Sequence, residues 1–326
     1  MKKRFNYYIK LCLLILVSVI LVKGCYSNST KITELNRVNL DAAECKIIKH
    51  PLGESCIPFQ PQRIIALDET SMEALLALDL KPIATAQPNI AGSMIPKLGK
   101  KAEGIVSLGK DGQPNLEKIV QLNPDLILGF SLSAEQYQIF SQIAPTVTFD
   151  YIQSGWQDAL LRIAETTGKT EKAQKLLEHY QQRVEKLRTF VNHNLKGKTV
   201  SISRFYAGNQ FTEFRTKYSF PGSLITEVEI PLPEIQNQLT TNENQPLVSV
   251  SLERIDLINA DILFIVLDPG AEENFQKYQN SPLWQNLQAV KSQKIYTVDS
   301  SYWIFGNILS ANAILDDLFT YLAKAP

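Results

Sequence analysis

The chain has 326 residues, and its 33 Lys and Arg are balanced by 33 Asp and Glu, so its formal net charge at pH 7 is zero. This length exceeds what one hydrophobic core usually organises, so two lobes or domains are expected. The balanced charge leaves no basic surplus to attract the phosphates of nucleic acids, and it argues against nucleic-acid binding.

The first 24 residues have the pattern of an export signal. Basic residues at 2–4 precede an apolar run at 11–22. This run is short for a membrane span, which needs about 20 residues, and it suits the apolar region of a signal peptide. Its end, Gly24-Cys25, resembles a bacterial lipoprotein signal, which implies cleavage and acylation of Cys25. The alternative is an uncleaved anchor helix; either way the remainder is expected outside the cytoplasm, in the periplasm where an outer membrane exists.

A tether and a cross-linked hairpin are predicted next. Residues 25–44 are polar and lack a strong period, which is typical of a flexible tether. Cys45 and Cys56 then bracket a turn marked by Pro51 and Gly53. In an oxidising compartment, two cysteines across a hairpin form a disulfide more often than a metal site, so we predict a Cys45–Cys56 disulfide.

The pattern of residues 45–168 predicts a first α/β lobe. After the first strand, Met72, Leu75, Leu76 and Leu78 lie close to one face of a helix. Alternation of strands and helices implies a mostly parallel sheet covered on both faces. The predicted strands span 63–67, 82–86, 105–109, 125–129 and 145–150.

A long helix is predicted to join this lobe to a second one. Between Gly168 and Gly197 the apolar residues recur at helical spacing, which predicts a connecting helix at 169–195. A helix of about 25 residues spans about 37 Å at ~1.5 Å per residue, so it would join the lobes stiffly. The second lobe, 196–326, has predicted strands at 199–205, 261–267 and 294–299 and a final helix at 308–322.

One motif occurs twice. Residues 114–128 (PNLEKIVQLNPDLIL) align without gaps with residues 250–264 (VSLERIDLINADILF), and Glu117 matches Glu253. Asn115 and Ser251 are predicted to cap the two helices, which places each glutamate in a first turn, where the helix dipole favours a negative charge. A glutamate at such a position often does no more than this.

Several ordered motifs resemble a known family. SLGKDGQPNLEKIVQLNPDLIL, SLERIDLINADILF and SPLWQNLQAVKSQKIYTVDSSYW are similar to segments of the ferric-siderophore-binding lipoproteins of bacterial ABC importers. These belong to the wider family of iron-complex and cobalamin binding proteins with a helical hinge, and the resemblance runs from Cys45 to the end. It implies two Rossmann-like lobes on one helix, a ferric siderophore in the cleft between them, and a membrane permease that contacts Glu117 and Glu253 through arginines.

Ligand contacts are expected just beyond the carboxyl ends of the strands, where open α/β sheets bind ligands. Arginine offers a forked, charge-assisted contact to the oxygens around ferric iron, and aromatic side chains offer stacking and hydrogen bonds. NQFTEFRTKYSFPGS has no clear period and is expected to supply the far wall through Arg215 and Tyr218. The other predicted ligand contacts are Thr70, Phe130, Arg204, Tyr206, Tyr302 and Trp303.

Other functions fit the sequence less well. Haem and cobalamin remain alternatives, because a broad aromatic cleft suits either. A bare metal ion is disfavoured because His179 and His193 lie on the connecting helix and His50 in the hairpin. A hydrolase is disfavoured because the sequence contains neither G-x-S-x-G nor H-E-x-x-H, although Asp68 or Glu69 could pair with Asp268. We therefore expect no catalysis, no cofactor, and iron held only within the siderophore.

Overall fold

The computed structural model describes residues 45–324, except 88–91 and 209–210. The predicted signal peptide, the lipidated Cys25 and the tether lie outside the described residues. Within the described ranges, no helix combines the length and the apolar character needed to cross a bilayer.

The chain enters the fold through an antiparallel hairpin, β1 (Cys45–His50) and β2 (Gly53–Pro58). Cys45 and Cys56 form a disulfide, as predicted, with their Cα atoms 5.5 Å apart. Ser55 Oγ donates a 2.6 Å hydrogen bond to the carbonyl oxygen of Thr146, in the last strand of the first sheet. The hairpin is therefore fastened to the edge of that sheet.

The N-terminal lobe is built on five parallel strands in the order β5-β4-β3-β6-β7, which confirms the predicted parallel sheet. The strands are β3 (Ile64–Ala66), β4 (Ala84–Gln87), β5 (Val106–Lys110), β6 (Leu126–Phe130) and β7 (Thr146–Phe149). The helices between them are α1 (Glu69–Ala77), α2 (Ile95–Leu98) with a 3-10 turn at Gly99–Lys101, α3 (Leu116–Gln121) and α4 (Ala134–Ser141).

Helix α1 is buried on every side from Thr70 to Ala77, whereas the sequence pattern predicted one buried face. The difference arises because α1 lies between its own sheet and helices that come much later in the chain. Asp68 caps it, accepting a 2.6 Å hydrogen bond from the amide of Ser71. Complete burial also encloses Glu73, which is 1% exposed.

Two helices link the sheets. α5 (Tyr151–Thr167) contains a break at Gly155, and α6 (Thr170–Asn194) is the predicted long connector, 25 residues in length. Gly168, with φ of 71°, makes the sharp turn between them, a conformation that a side chain would strain. The buried face of α6 consists of Ala173, Tyr180, Val184, Leu187 and Val191, all of which the helical spacing predicted.

The C-terminal lobe has a mixed five-stranded sheet in the order β10-β9-β8-β11-β12. β8, β11 and β12 are parallel, as predicted, while β9 pairs antiparallel with both of its neighbours, β8 and β10. The strands are β8 (Val200–Phe205), β9 (Thr212–Arg215), β10 (Leu247–Val250), β11 (Ile262–Leu267) and β12 (Ile295–Asp299). A 3-10 helix spans Leu252–Ile258, and the α-helices are α7 (Phe220–Glu227), α8 (Glu234–Leu239), α9 (Glu272–Gln279), α10 (Pro282–Gln285), α11 (Gln288–Lys291), α12 (Ser300–Trp303) and α13 (Ile308–Leu322).

The two lobes share one hydrophobic core. Its main cluster includes Leu75 of α1, Leu187 of α6 and Leu315 of α13, because the last helix packs against both of the others. Glu73 of α1 reaches the start of α13 and accepts hydrogen bonds from the amides of Asn307 (2.9 Å) and Ser310 (3.1 Å). A third bond comes from Ser310 Oγ, at 2.5 Å. This buried carboxylate joins the N-terminal lobe to the last helix.

The ionisation of Glu73 should make stability depend on pH. Burial raises its pKa from 4.5 to about 7, so the folded protein holds this proton more tightly than the unfolded chain. Stability therefore falls as pH rises between these values and stays lower above them. We expect Glu73→Gln to remove this component, which is on the order of 3 kcal/mol, when urea unfolding is compared at about pH 4.5 and about pH 7.5.

Glu178→Gln provides the matched control, because Glu178 is exposed on α6. This variant should keep the pH dependence of the wild-type protein. The same dependence in Glu73→Gln would show that the buried carboxylate does not titrate in this range.

Candidate ligand-binding site and docking surface

Arg204 lies near the carboxyl end of β8 and forms a buried ion pair. In the sheet it stands beside Val266 of β11 on one side and Glu213 of β9 on the other. Its Nε and Nη2 each donate a 2.9 Å hydrogen bond to Asp268, which follows β11, and both side chains are 3% exposed. Burial raises the pKa of Asp268, although the neighbouring guanidinium opposes this. The forked pair fixes the plane of Arg204 and uses one edge of its guanidinium.

A second buried pair stands beside the first. Arg215, at the end of β9, donates a 2.7 Å bond from Nη1 to Glu213, and both side chains are almost fully buried. The hydroxyl of Tyr206 also bonds Glu213, while the ring of Tyr206 lies 4.5 Å from the guanidinium carbon of Arg204. Burial and the bond to Glu213 raise the pKa of Tyr206. Three predicted residues, Arg204, Tyr206 and Arg215, are thus brought together.

Arg215 lies within electrostatic range of Tyr151. Burial raises the pKa of Tyr151, the first residue of α5, and the positive charge of Arg215 partly opposes this shift. The ring of Tyr151 lies 5.2 Å from the ring of Phe130, at the end of β6. The Nε of Arg215 has no hydrogen-bond partner and is fully enclosed. A buried guanidinium with an unused donor is a natural contact for a bound oxygen atom.

The N-terminal side of the site is organised by Asp68. Besides capping α1, its carboxylate accepts a 3.0 Å bond from the amide of Phe130, which fixes the loop after β6. Burial raises the pKa of Asp68 to about 7, against the opposing bonds from Ser71 and Phe130. Thr70, a predicted ligand contact, is 4% exposed within α1. Phe130, which is partly exposed, is the better placed of these two predicted contacts.

The lobes also touch where β4 and β12 end. Lys97 of α2 forms an ion pair with Asp299, and its Nζ lies 4.2 Å from the ring centre of Tyr302. The amide of Gly92 donates a 3.3 Å bond to Ser300 Oγ. Tyr302 itself donates a 2.8 Å bond to Asp317 of α13. These contacts join the segment after β4 to the end of β12 and to α12, which follows it directly.

Trp303 corrects one expectation. It was predicted to stack on the ligand, but it is fully buried. Its ring stacks on Phe264 with 4.9 Å between ring centres, and its Nε1 donates a 2.7 Å bond to Asp317. Since both the ring and the donor are already occupied, Trp303 belongs to the hydrophobic core that the two lobes share.

The remaining predicted contact, Tyr218, lies three positions beyond Arg215 and is 36% exposed. Lys217 Nζ stands 5.1 Å from the centre of its ring. Tyr218 therefore lies at the surface, in the segment that follows β9 and its last residue, Arg215.

The duplicated glutamates are both exposed, one in each lobe. Glu117 lies in the first turn of α3, capped by Asn115, whose side chain accepts a 2.9 Å bond from the amide of Lys118. Glu253 lies in the first turn of the 3-10 helix. A hydrogen bond from Ser251 is the main cause that holds the pKa of Glu253 below its usual range.

Ser251 corrects a second expectation. It was predicted to cap its helix, as Asn115 does, and it has the extended backbone of a cap. Its side chain accepts no capping bond from the backbone and instead bonds the carboxylate of Glu253. The reason is the tighter winding of this segment, which is a 3-10 helix with a kink at Arg254 rather than an α-helix.

Sequence reasoning missed Glu213 and Glu73. Glu213 stands two residues before Arg215, and this spacing puts the two on the same face of a strand. Recognising TEFR as a strand would have paired them. The burial of Glu73 could not be predicted, because an acidic residue in a helix is usually exposed and no neighbouring sequence shows that α13 covers it.

Two surface cavities are among those formed by the described residues. One, of about 500 Å³, is lined mostly by α9, with Gly208 and Gly270 at its border. The other, of about 700 Å³, lies at the start of α6 beside Lys46. In the part of the chain that the structure describes, no group of three or more His, Cys, Asp or Glu is arranged to hold a metal ion.

Comparison with known proteins identifies the family. Residues 64–302 match the periplasmic binding protein family. The chain belongs to this family. A relative, the probable siderophore-binding lipoprotein YfiY of Bacillus subtilis, is 32% identical over 97% of this chain and 98% of its own length. The achromobactin-binding periplasmic protein of Dickeya dadantii is 30% identical over 80% of this chain and 86% of its own.

Solved structures agree with this assignment. Staphylococcus aureus SirA complexed with staphyloferrin B aligns with a TM-score of 0.77 at 25% identity, covering 85% of this chain and 98% of that one. Both relatives are named as binding proteins. The solved structure shares with this chain the α/β fold that has two lobes on a long helix.

The buried pair in the site predicts a stability test. Asp268→Asn leaves the guanidinium of Arg204 buried without a counter-charge, and we expect a loss of about 3–5 kcal/mol in the free energy of unfolding. The double variant Arg204→Met/Asp268→Asn should lose less, because no charge remains unpaired. Urea unfolding at neutral pH measures both, and a double variant less stable than the single one would contradict the argument.

Proposed function

We propose that this protein is the extracytoplasmic binding component of an ABC importer, and that it captures a ferric siderophore between its lobes and delivers it to a membrane permease. The observation that carries the proposal is the pair of buried arginines in adjacent strands of the C-terminal sheet, Arg204 near the carboxyl end of β8 and Arg215 in β9, the latter within electrostatic range of Tyr151. Relatives named for siderophore binding align with nearly the whole chain, which supports the same conclusion.

The arginines suit oxygen-rich anionic ligands. Asp268 occupies Nε and Nη2 of Arg204, so the outer edge of its guanidinium is directed away from this partner. Carboxylate, hydroxamate and catecholate oxygens around ferric iron are matched acceptors for such N–H groups. Arg215 adds its unused Nε. The N–H donors of the arginines and the oxygen acceptors of the ligand are then all charged or strongly polar. Such contacts favour specificity more than affinity.

Ligand entry requires some opening, since both guanidiniums are almost completely covered. Tyr206 lies over Arg204, and the contacts of Lys97 with Asp299 and of Gly92 with Ser300 hold the lobes together at one side. These surface contacts are weaker than the buried bonds of Glu73. Capture therefore proceeds by a small separation near the arginines, while the shared core below stays intact.

The two exposed glutamates are proposed to dock the loaded protein on the permease. Glu117 and Glu253 occupy matching positions of the duplicated motif, and each presents a carboxylate at the surface of a different lobe. Arginines of the two permease subunits are the proposed partners. Cys25 is proposed to carry the lipid that keeps the protein at the membrane, with residues 25–44 as the tether.

The proposal involves no chemistry on the ligand. The iron stays within the siderophore, and the protein supplies hydrogen bonds, charge and shape. Haem and cobalamin remain the alternative cargoes, because Tyr206, Phe130 and Tyr151 would also contact a flat macrocycle. The paired arginines favour the siderophore, since they address a compact cluster of oxygen atoms.

Binding of the cargo can be tested with the purified lipid-free protein. Titration with ferric citrate, ferric hydroxamates, ferric catecholates, haemin and cobalamin, followed by tryptophan fluorescence, should show binding of a ferric chelate. Arg215→Gln should weaken that binding by about tenfold or more, because it removes a charge-assisted contact. Arg254→Gln is the matched control, since Arg254 is 60% exposed. Binding of haemin or cobalamin alone would refute the siderophore assignment.

Docking can be tested separately by charge reversal. Glu117→Lys and Glu253→Lys should each lower uptake of the radiolabelled ferric chelate by cells, and the double variant should abolish it, while ligand affinity stays unchanged. Glu135→Lys, an exposed first-turn glutamate of α4, should have no effect. If the charge reversals instead weakened ligand binding, the glutamates would belong to the ligand site.

A further inference from the structure

A short segment of the N-terminal lobe reaches across to the C-terminal lobe. We call residues 92–98, which include α2, the strap. Its Gly92 and Lys97 contact the start of α12 and the end of β12. It also touches the last helix, because Ser310 Oγ lies 3.2 Å from Met94 Sδ. The strap therefore contacts three elements of the C-terminal lobe beside the proposed ligand site.

Glu69, the first residue of α1, holds the strap from the N-terminal side. Its Oε1 accepts hydrogen bonds from the amide of Met94 and from Ser93 Oγ, the latter at 3.3 Å. Ser93 Oγ in turn accepts a 3.1 Å bond from the amide of Ile95. One carboxyl group thus fastens the centre of the strap to α1.

A second carboxyl lies on the same face of α1. Glu73 follows Glu69 by four positions, which places the two side chains next to each other along the helix. Glu73 is fully buried and Glu69 is partly buried. Neither forms an ion pair with a Lys, Arg or His among the described residues. Two enclosed carboxyls so close together, without a cation, favour a proton on at least one of them.

Glu69 is the carboxyl whose surroundings change when the lobes part. Glu73 is bonded to α13 inside the shared core, whereas the bonds of Glu69 go to the strap. Burial and then the charge of Glu73 raise the pKa of Glu69 to about 8, and the bonds from Met94 and Ser93 oppose this shift. Once the strap leaves, water reaches Glu69 and its pKa returns toward 4.5.

The other titratable groups around this contact behave differently. Burial raises the pKa of Asp68 to about 7, but its bonds to Ser71 and Phe130 lie within the N-terminal lobe and do not involve the strap. The remaining groups keep one charge state between about pH 5 and about pH 8. Burial opposes, but the bonds from Lys97 and Ser301 achieve, a lowered pKa of Asp299, and burial raises the pKa of Tyr151 and Tyr302.

We propose that Glu69 is a proton-controlled latch: protonated, it keeps the strap on α1 and the lobes closed beside the ligand site, and ionised, it releases the strap so that ligand enters and leaves faster. The closed state binds this proton more tightly than the open state. Closure is therefore strongest at acid pH, and it weakens as the pH rises to about 8. The effect on ligand exchange rests on the proposed function, whereas the latch itself is observable without a ligand.

Hydrogen exchange of the ligand-free protein tests the latch directly. The amide of Met94 is bonded to Glu69, and its protection factor, the intrinsic exchange rate divided by the observed rate, removes the ordinary pH dependence of exchange. We expect this factor to fall by about tenfold or more between pH 5 and pH 8 and then to level off. Met94 should also exchange faster than the buried amides of β11, which shows that the strap opens without global unfolding.

Three variants assign the effect to Glu69. Glu69→Gln keeps an acceptor for the amide of Met94 but cannot ionise, so the protection factor should stay at its acid-pH level throughout. Glu73→Gln should retain a pH dependence that ends at a lower pH, because the neighbouring negative charge is gone. Glu135→Gln, at an exposed first-turn position of α4, should behave like wild type. A constant protection factor in the wild-type protein, or the wild-type pH dependence in Glu69→Gln, would overturn the proposal.

Ligand release separates this inference from the function on which it rests. Release of ferric citrate, a ferric hydroxamate and a ferric catecholate is followed by tryptophan fluorescence in wild type and Glu69→Gln at the same pH, which cancels the titration of the chelate itself. The rates should agree at pH 5, and wild type should release about tenfold faster at pH 8. Equal rates at both pH values would refute control of ligand exchange. Failure of every chelate to bind would refute the proposed function, while the hydrogen-exchange result would still decide on the latch.

Discussion

A buried carboxylate limits how far the two lobes can move. Glu73 belongs to α1 of the N-terminal lobe, yet its bonds go to Asn307 and Ser310 at the start of the last helix. Separating these elements would leave donors or a carboxylate unsatisfied away from water, at a cost of about 1–3 kcal/mol for each lost bond. The core that α1, α6 and α13 share adds to this resistance. Rearrangement is therefore confined to the strand ends, where the site lies.

At those strand ends the charges are compensated before any ligand arrives. Asp268 orients Arg204, and Glu213 orients Arg215, with each acid supplied by the same sheet as its arginine. The proposed site therefore has little net charge, and we propose that it distinguishes ligands by the direction of its N–H groups. Because the guanidiniums are already held, less side-chain freedom is lost on binding. The same compensation explains how four ionisable groups can be tolerated in the interior.

The parts of the structure that sequence reasoning predicted are those set by local pattern. The buried parallel strands are continuous apolar runs such as 262–267, and α6 has an uninterrupted helical period. Contacts between distant segments were not predictable in this way: Arg204 meets Asp268 across 64 positions, and Glu73 meets Ser310 across 237. Trp303 was predicted to line the cleft because an aromatic residue suits either a cleft or a core. Only the position of Phe264, on which its ring stacks, shows that it lies in the core. The role of Glu117 and Glu253 stays a prediction, since their partner is a different molecule.

The disulfide of the first hairpin has a mechanical consequence. The chain that precedes Cys45 enters the fold at one half of a covalent cross-link whose other half, Cys56, adjoins the fully buried Ile57. A pull applied from the N-terminal side therefore passes directly from Cys45 to Cys56 and bypasses the ten residues between them. The cross-link therefore delivers the force to the fold beside the buried Ile57.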